Sequence, residues 1–132
     1  MSPENLALVH KLYDAMNRRD VDAIRALAED YPDWEWRNAP DMPETGLRGR
    51  EGGLTYVEEL FQAFDQTNTQ VEEVIDLGPD CAIFLVRHRV RGATSGADAE
   101  RREVHLWRAR EGHLTSLQEF TDVAEARAAA LE

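Results

Sequence analysis

Residues 101–122, RREVHLWRAREGHLTSLQEFTD, decide the fold, because they have the pattern of a β-hairpin. Two runs of strand-like alternation flank a short loop, Arg110–Gly112, whose glycine supplies the left-handed residue that such a loop needs. A three-residue loop places His105 opposite Leu117 and puts Glu119 on the same face, one diagonal away. A two-residue loop would place the histidine and the glutamate on opposite faces, so this prediction depends on the loop length.

The predicted hairpin puts polar groups on a mostly apolar sheet face, which Trp107 and Leu117 share with His105 and Glu119. A buried imidazole and carboxylate are costly unless they pair or serve a ligand. A buried carboxyl group can act as a base near neutral pH, and a neighbouring histidine can donate to a carbonyl or enolate oxygen. The pair is therefore the candidate acid/base site. The alternative is that the two side chains only satisfy each other across the hairpin.

The composition predicts one soluble, cytoplasmic domain that spans residues 1–132. Lys and Arg together number 15 against 26 Asp and Glu, and the net charge of −11 argues against binding to nucleic acid or to anionic membranes. The single Cys81 excludes an internal disulfide and suits a reducing compartment. The longest apolar run, residues 81–86, is far shorter than the ~20 residues of a membrane helix, and the N-terminus lacks a signal-peptide pattern.

Arginines are concentrated in the predicted strands, and their ordinary interpretation is a solvated outer sheet face. Under that interpretation Glu100 and Glu103 are their cross-strand partners. The arginines are Arg87, Arg89, Arg91, Arg101, Arg102, Arg108 and Arg110.

Helical periodicity is confined to the first half of the chain and to its tail. Ser2 and Pro3 favour a helix start, Asp20 favours a second one, and Pro32 ends the second helix. The predicted helices cover residues 3 to about 17–19, 21–31, 54–64 and 123–131, and the predicted strands cover 33–37, 70–76, 81–91, 101–110 and 113–122, with a loop at 38–53. Three helices followed by a mostly antiparallel sheet make an α+β plan. Helices that cover only part of a curved sheet leave a cavity, which is a common ligand site.

Five stretches carry a family resemblance, and they occur in order along the chain: LYDAMNRRDVDA (12–23), WEW (34–36), GLRGREG (46–52), HLWR (105–108) and EG (111–112). They resemble the nuclear transport factor 2-like superfamily, especially its SnoaL-like polyketide cyclase branch. The resemblance implies a cone-shaped curved antiparallel sheet packed against three N-terminal helices, the cystatin-like plan. It also implies an apolar pocket, no cofactor and a homodimer.

The resemblance also suggests roles for particular residues. SnoaL-like cyclases have an inward histidine and an inward acid on the last two strands, and His105 and Glu119 stand at those positions. Tyr13 stands where steroid isomerases of this fold have a tyrosine on the first helix. Those isomerases also need an Asp base and a protonated Asp, whose places are held here by Trp36 and His105, which argues against steroid isomerase chemistry.

Two further chemistries receive less support from the sequence. Limonene-type epoxide hydrolases need an Asp-Arg-Asp set, and Arg87 and Arg89 have no inward acid beside them. His88, His105 and Glu119 could form a facial triad for iron. Because these three residues lie on separate strands without a motif spacing, the sequence predicts no metal site.

The sequence therefore predicts a cofactor-free lyase, isomerase or cyclase that acts on a small apolar carbonyl compound. Glu119 would take the proton next to the carbonyl, and His105 with Tyr13 would stabilise the enolate oxygen. The residues predicted to line the pocket are Trp36, Trp107, Tyr56, Phe61 and Leu117. The alternatives are a non-catalytic small-molecule-binding protein of the same fold, or a domain whose pocket is filled by side chains. A homodimer is expected to form through the outer sheet face.

Overall fold

The computed structural model describes residues 1–29, 34–42 and 46–132, and it has the α+β architecture that the sequence predicts. The helices are α1 (Pro3–Asn17), α2 (Val21–Ala28), α3 (Arg50–Ala63) and α4 (Val123–Ala130). The strands are β1 (Glu35–Arg37), β2 (Leu47–Arg48), β3 (Phe64–Asp76), β4 (Cys81–Gly92), β5 (Asp98–Arg110) and β6 (His113–Phe120). None of the described helices is long and apolar enough to span a membrane.

The helix starts follow the capping signals in the sequence. The Ser2 side chain accepts from the backbone N–H of Asn5 at 3.1 Å, with Pro3 at the first helical position. Asp20 caps α2 in the same way. The predicted stop at Pro32 and the predicted strand residue Asp33 lie outside the described residues.

Two predicted elements have different bounds in the structure. Helix α3 begins four residues before the predicted start, and β3 begins at Phe64 directly after it, so the third helix runs into the sheet without a loop. The predicted loop at 38–53 also contains β2, which pairs with β1.

The sheet is curved and unclosed, with the strand order β2-β1-β6-β5-β4-β3. Its long strands are antiparallel, as predicted, and the short strand β1 runs parallel to β6, which makes the sheet mixed. Helices α1 and α3 pack against the inner face, helix α2 packs on these two helices, and Val9 and Phe84 lie in the main core. Helix α4 covers part of the other face, where Leu106 and Ala126 form a second apolar cluster. Strand β5 is therefore buried on both faces along its central part.

The turn between β5 and β6 has two residues, so the predicted three-residue loop is wrong. Arg110 pairs with His113, and the residues between them, Glu111 and Gly112, have φ values of 53° and 80°. Two successive positive φ values are typical of a type I′ hairpin turn, whose twist matches that of the strands. This turn alone would place His105 and Glu119 on opposite faces.

A β-bulge restores the shared face. Strand β6 has one extra residue, Thr115, which lies between the partners of Ala109 and Arg108. Beyond the bulge His105 pairs directly with Glu119, and Leu117, its predicted partner, pairs with Trp107. His105 and Glu119 therefore lie on the same face of the sheet, as predicted, although the strand register differs from the predicted one.

Candidate functional site

A cavity of about 320 Å³ lies between the helices and the inner face of the sheet. Its lining is mainly apolar and aromatic. All eight side chains singled out from the sequence contribute to this lining: Tyr13, Trp36, Tyr56, Phe61, His105, Trp107, Leu117 and Glu119. The helices supply one wall, and strands β4–β6 supply the wall that carries the histidine and the carboxylate.

The hydrogen-bond partners of His105 are residues other than Glu119. Its Nε2 lies 2.9 Å from Oε1 of Glu103, and its Nδ1 lies 2.6 Å from the hydroxyl of Tyr13. Because a carboxylate can only accept, Nε2 carries the hydrogen, so that in a neutral ring the bare Nδ1 accepts from the Tyr13 hydroxyl. The Trp107 N–H donates to the same hydroxyl oxygen at 2.8 Å. The expected mutual pairing of His105 and Glu119 is therefore replaced by a chain that runs from β5 to helix α1.

Glu103 is the acid that sequence reasoning misplaced. It was expected on the solvated outer face, but it is 5% exposed and faces the cavity. Residues two apart in a strand share a face, so its spacing from His105 was the signal that could have located it. Its Oε1 also accepts from His88 Nε2 at 2.8 Å, and its Oε2 lies 2.8 Å from Nε of Arg101.

Hydrogen bonding decides the charge state of Glu103. Burial favours the neutral form of a carboxyl group, but the hydrogen bonds from His105 and His88 outweigh it and hold the pKa of Glu103 well below its usual range. Arg101 reaches outward to Asp41 with two hydrogen bonds of 2.9 and 3.2 Å, and these bonds lower the pKa of the Asp41 carboxyl. Glu103 is thus an ionised, enclosed anion.

His88 extends the same set of contacts to β3. Its Nδ1 lies 2.7 Å from the hydroxyl of Thr69. We use the name histidine network for the connected side chains Thr69, His88, Glu103, His105, Tyr13 and Trp107. The facial triad considered from the sequence is thereby corrected, because Glu103, rather than Glu119, stands between the two imidazoles.

Glu119 has different surroundings. It is 8% exposed, and its Oε2 accepts from the Trp36 indole N–H at 2.8 Å. None of the described residues donates a hydrogen bond to its Oε1. Trp36 is itself held by an edge-to-face contact with Tyr56 at 5.0 Å. The second oxygen of Glu119 can therefore accept from a ligand in the cavity.

Tyr13 supplies a neutral hydroxyl to the site. Burial raises the pKa of this phenol well above its usual value, so the group keeps its hydrogen at physiological pH. The oxygen is positioned by Trp107, and the hydrogen points to His105. Rotation about the C–O bond can redirect that hydrogen toward a ligand oxygen.

An acid-arginine-acid row does occur, but with a different arginine from the two considered in the sequence. Arg101 lies between Asp41 and Glu103, while Arg87 pairs with Glu100. Oε1 of Glu103 accepts from both histidines, and its Oε2 is held in an ion pair with Arg101. A carboxylate engaged in this way is a poor base for water, so the row does not favour the water-activating chemistry of epoxide hydrolases.

The comparisons with known proteins agree with this architecture. The sequence model of the SnoaL-like domain matches residues 9–117. No curated protein sequence matches the chain. An NTF2-like protein of Burkholderia thailandensis E264 is 26% identical, with 100% of this chain and 99% of that chain covered and a TM-score of 0.74.

Two further solved structures share the fold at lower identity. A putative SnoaL-like polyketide cyclase of Jannaschia sp. CCS1 is 20% identical over 98% of this chain and 94% of its own, with a TM-score of 0.74. Rv0760c of Mycobacterium tuberculosis, in complex with estradiol-17beta-hemisuccinate, is 15% identical over 93% and 97%, with a TM-score of 0.76.

Proposed function

The chain belongs to the SnoaL-like domain family of the NTF2-like superfamily, and we propose that it transfers a proton on a small apolar carbonyl compound without a cofactor. The reaction class is that of a lyase, an isomerase or a cyclase. The observation that carries the proposal is the position of Glu119 on the cavity wall, beside His105, with Oε1 available to a ligand.

The cavity supports the choice of ligand. Its volume of about 320 Å³ falls at the lower end of the range for small-molecule sites, which are apolar with a few placed polar groups. Trp36, Trp107, Tyr56, Phe61 and Leu117 would contact the ring system of the ligand. The steroid derivative bound to Rv0760c, a protein of the same fold, is consistent with a compact, largely apolar ligand.

In the proposed first step, Glu119 acts as the general base. Its Oε1 takes the proton from the carbon next to the carbonyl, the C–H electron pair forms the enolate, and negative charge moves to the carbonyl oxygen. The Trp36 N–H orients the carboxylate through Oε2. The proton can then return to another carbon, or the enolate can expel a leaving group or attack a second carbonyl.

The enolate oxygen would be stabilised by Tyr13. Its hydroxyl oxygen is fixed by Trp107, so the hydroxyl hydrogen can turn to the developing negative charge with little reorganisation. Both ring nitrogens of His105 are engaged, so His105 would act through Tyr13 as a positioning residue. Glu103 would in turn fix the ring of His105.

Hydrogen–deuterium exchange at carbon tests the base directly. The wild-type protein should accelerate exchange of the α-hydrogens of at least one small cyclic ketone, such as 1-tetralone or 1-indanone, as followed by NMR in D2O. Glu119→Gln should slow this exchange at least about 100-fold, because general-base catalysis contributes on that order. The exposed Glu111→Gln in the β5–β6 turn is the matched control and should leave exchange unchanged.

The competing function is a binding protein without catalysis. In that case estradiol-17beta-hemisuccinate or a cyclic ketone would quench tryptophan fluorescence, yet no exchange would occur in wild type. Equal exchange rates in wild type and Glu119→Gln would remove Glu119 from the mechanism. Thermal unfolding of both proteins shows whether a loss of activity comes from a loss of fold.

The homodimer and the cytoplasmic location also belong to this proposal. The family resemblance favours two copies that meet through the outer sheet face, and the single free Cys81 suits a reducing compartment. Analytical ultracentrifugation tests the dimer, because a species with the mass of one chain at all concentrations would contradict it.

A further inference from the structure

We propose that His88, Glu103 and His105 form a binding site for one divalent transition-metal ion, with Zn²⁺ as the model ion. One possible ligand atom from each residue lies within 4.8 Å of the others. Nε2 of His88 and Nε2 of His105 point to the same carboxylate oxygen, at 2.8 and 2.9 Å. Two imidazoles and one carboxylate are a common ligand set of zinc and non-haem iron sites. This site goes beyond the proton transfer proposed above.

The groups behind the two histidines match those of a metal site. A histidine that binds a metal through Nε2 carries its hydrogen on Nδ1 and donates it to an oxygen. Here each Nδ1 already faces a hydroxyl oxygen, that of Thr69 at 2.7 Å and that of Tyr13 at 2.6 Å. Both hydroxyls can accept as well as donate, so the change of tautomer requires no new partner.

The carboxylate is oriented by a separate contact. Arg101 engages Oε2 of Glu103 at 2.8 Å, whereas the two imidazoles engage Oε1. An ion on Oε1 would therefore leave the arginine contact in place. Such outer contacts, which fix the ligands before the ion arrives, are a general feature of metal sites.

Only a small movement separates the present contacts from metal-binding geometry. Bonds of about 2.0–2.1 Å in a tetrahedral zinc site put neighbouring ligand atoms about 3.4 Å apart. His88 and His105 would each move away from Glu103 by about half an ångström, and the ion would replace the two N–H hydrogens between them. Because the three side chains line the cavity, a further coordination position would face it.

The local charge favours a cation despite the nearby guanidinium. Arg101 is paired with Asp41 as well as with Glu103, so with neutral histidines this group contains one positive and two negative side chains. Glu119 adds a second buried carboxylate to the same face of the sheet. A divalent ion would offset this excess of negative charge in a region of low dielectric.

Metal titration of the untagged, chelator-treated full chain tests the site. Zn²⁺ should bind with one equivalent per chain in calorimetry, and Co²⁺ should give the visible absorption of a four- or five-coordinate site. The chain has four histidines, so His10→Gln on the exposed side of α1 is a matched control. His88→Gln should weaken binding by more than about 100-fold, since a direct ligand matters more than the outer groups.

A second variant distinguishes a pre-organised metal site from two histidines that lie close together by chance. Thr69→Val removes only the hydroxyl behind His88 and should weaken Zn²⁺ binding by about 10-fold. Thermal unfolding of each metal-free variant confirms that it is folded. The proposal is overturned if wild type binds no Zn²⁺ at millimolar concentration, or if His88→Gln and His10→Gln bind it equally. Deuterium exchange by the metal-free protein is measured separately, so failure here leaves the proton-transfer proposal untouched.

Discussion

Two neighbouring positions on the paired strands β5 and β6 hold a buried carboxylate, and the surroundings of the two carboxylates differ. Oε1 of Glu103 accepts from two histidines, and its Oε2 forms an ion pair with Arg101. Glu119 is buried to a similar degree, yet Trp36 engages one oxygen only. The burial of a carboxylate alone therefore does not identify it as a base. The number of donors around a carboxylate decides whether it can still take a proton from a ligand.

The same comparison explains why the polar wall of the cavity is tolerated in an apolar core. The histidine network satisfies its own donors and acceptors, so its burial costs little. Glu119 does not have such a complete set of partners, because Trp36 donates to its Oε2 and none of the described residues donates to its Oε1. A carboxylate oxygen on a cavity wall that can accept from a ligand is the arrangement expected of a binding or catalytic group.

The largest effect should come from breaking the register that puts both carboxylates on one face. Insertion of one alanine between Ser116 and Leu117 shifts β6 beyond it by one position, so Leu117 and Glu119 would turn to the other face and Gln118 would face inward. We expect loss of the cooperative thermal transition, or a fall in Tm of more than about 10 °C, because several core contacts are lost at once. Circular dichroism during heating measures this.

The control for that insertion keeps the length of β6 and changes only one side chain, at the bulge. Thr115→Ser should leave Tm within about 2 °C of wild type, since the residue is only partly buried. An insertion variant with wild-type stability and an intact site would contradict the expectation that β6 cannot change its register without cost.

A smaller effect should come from neutralising each carboxylate in turn. Glu103→Gln places an amide group where Arg101 and the two imidazoles require an acceptor, and we expect a loss of about 2 kcal/mol, or about 6–10 °C in Tm. Glu119→Gln keeps an acceptor for Trp36 and should cost less than about 1 kcal/mol. Urea unfolding of both variants gives the ranking, and the reverse order would contradict the comparison.

The smallest effect should come from removing the single donor of Glu119. Trp36→Phe deletes the indole N–H and leaves the carboxylate oriented only by packing. We expect ketone exchange to fall by about 10-fold, well below the loss in Glu119→Gln, because Oε1 is unchanged. A loss as large as that of the glutamine variant would mean that Trp36 itself takes part in the chemistry.

Local chemistry in the sequence predicted the helices and the hairpin, because caps and turns depend on neighbouring residues. Ser2, Pro3 and Asp20 start helices where expected, and Gly112 lies in the turn. The parallel pairing of β1 with β6 joins segments about eighty residues apart, and no local pattern signals it. The strand side chains that line the cavity were predictable from local sequence, as the caps and turns were, because alternation along a strand decides which side chains face inward.

The contacts inside the site were less predictable than its position. The spacing of Glu103 from His105 would have placed it inward, but the cluster of arginines around it suggested a solvated face. Which partner each polar group selects depends on His88 and Tyr13, from distant parts of the chain. Distances across the fold, and not the pattern along one strand, decide these pairings.

The bulge at Thr115 gives the hairpin a reading frame. The type I′ turn sets one phase of in-and-out alternation, and the single extra residue shifts the phase before the chain reaches Glu119. An extra residue between Ser116 and Glu119 would therefore put this strand out of frame and disrupt the site, unless another residue were removed from the same segment, as a second frameshift restores a coding sequence.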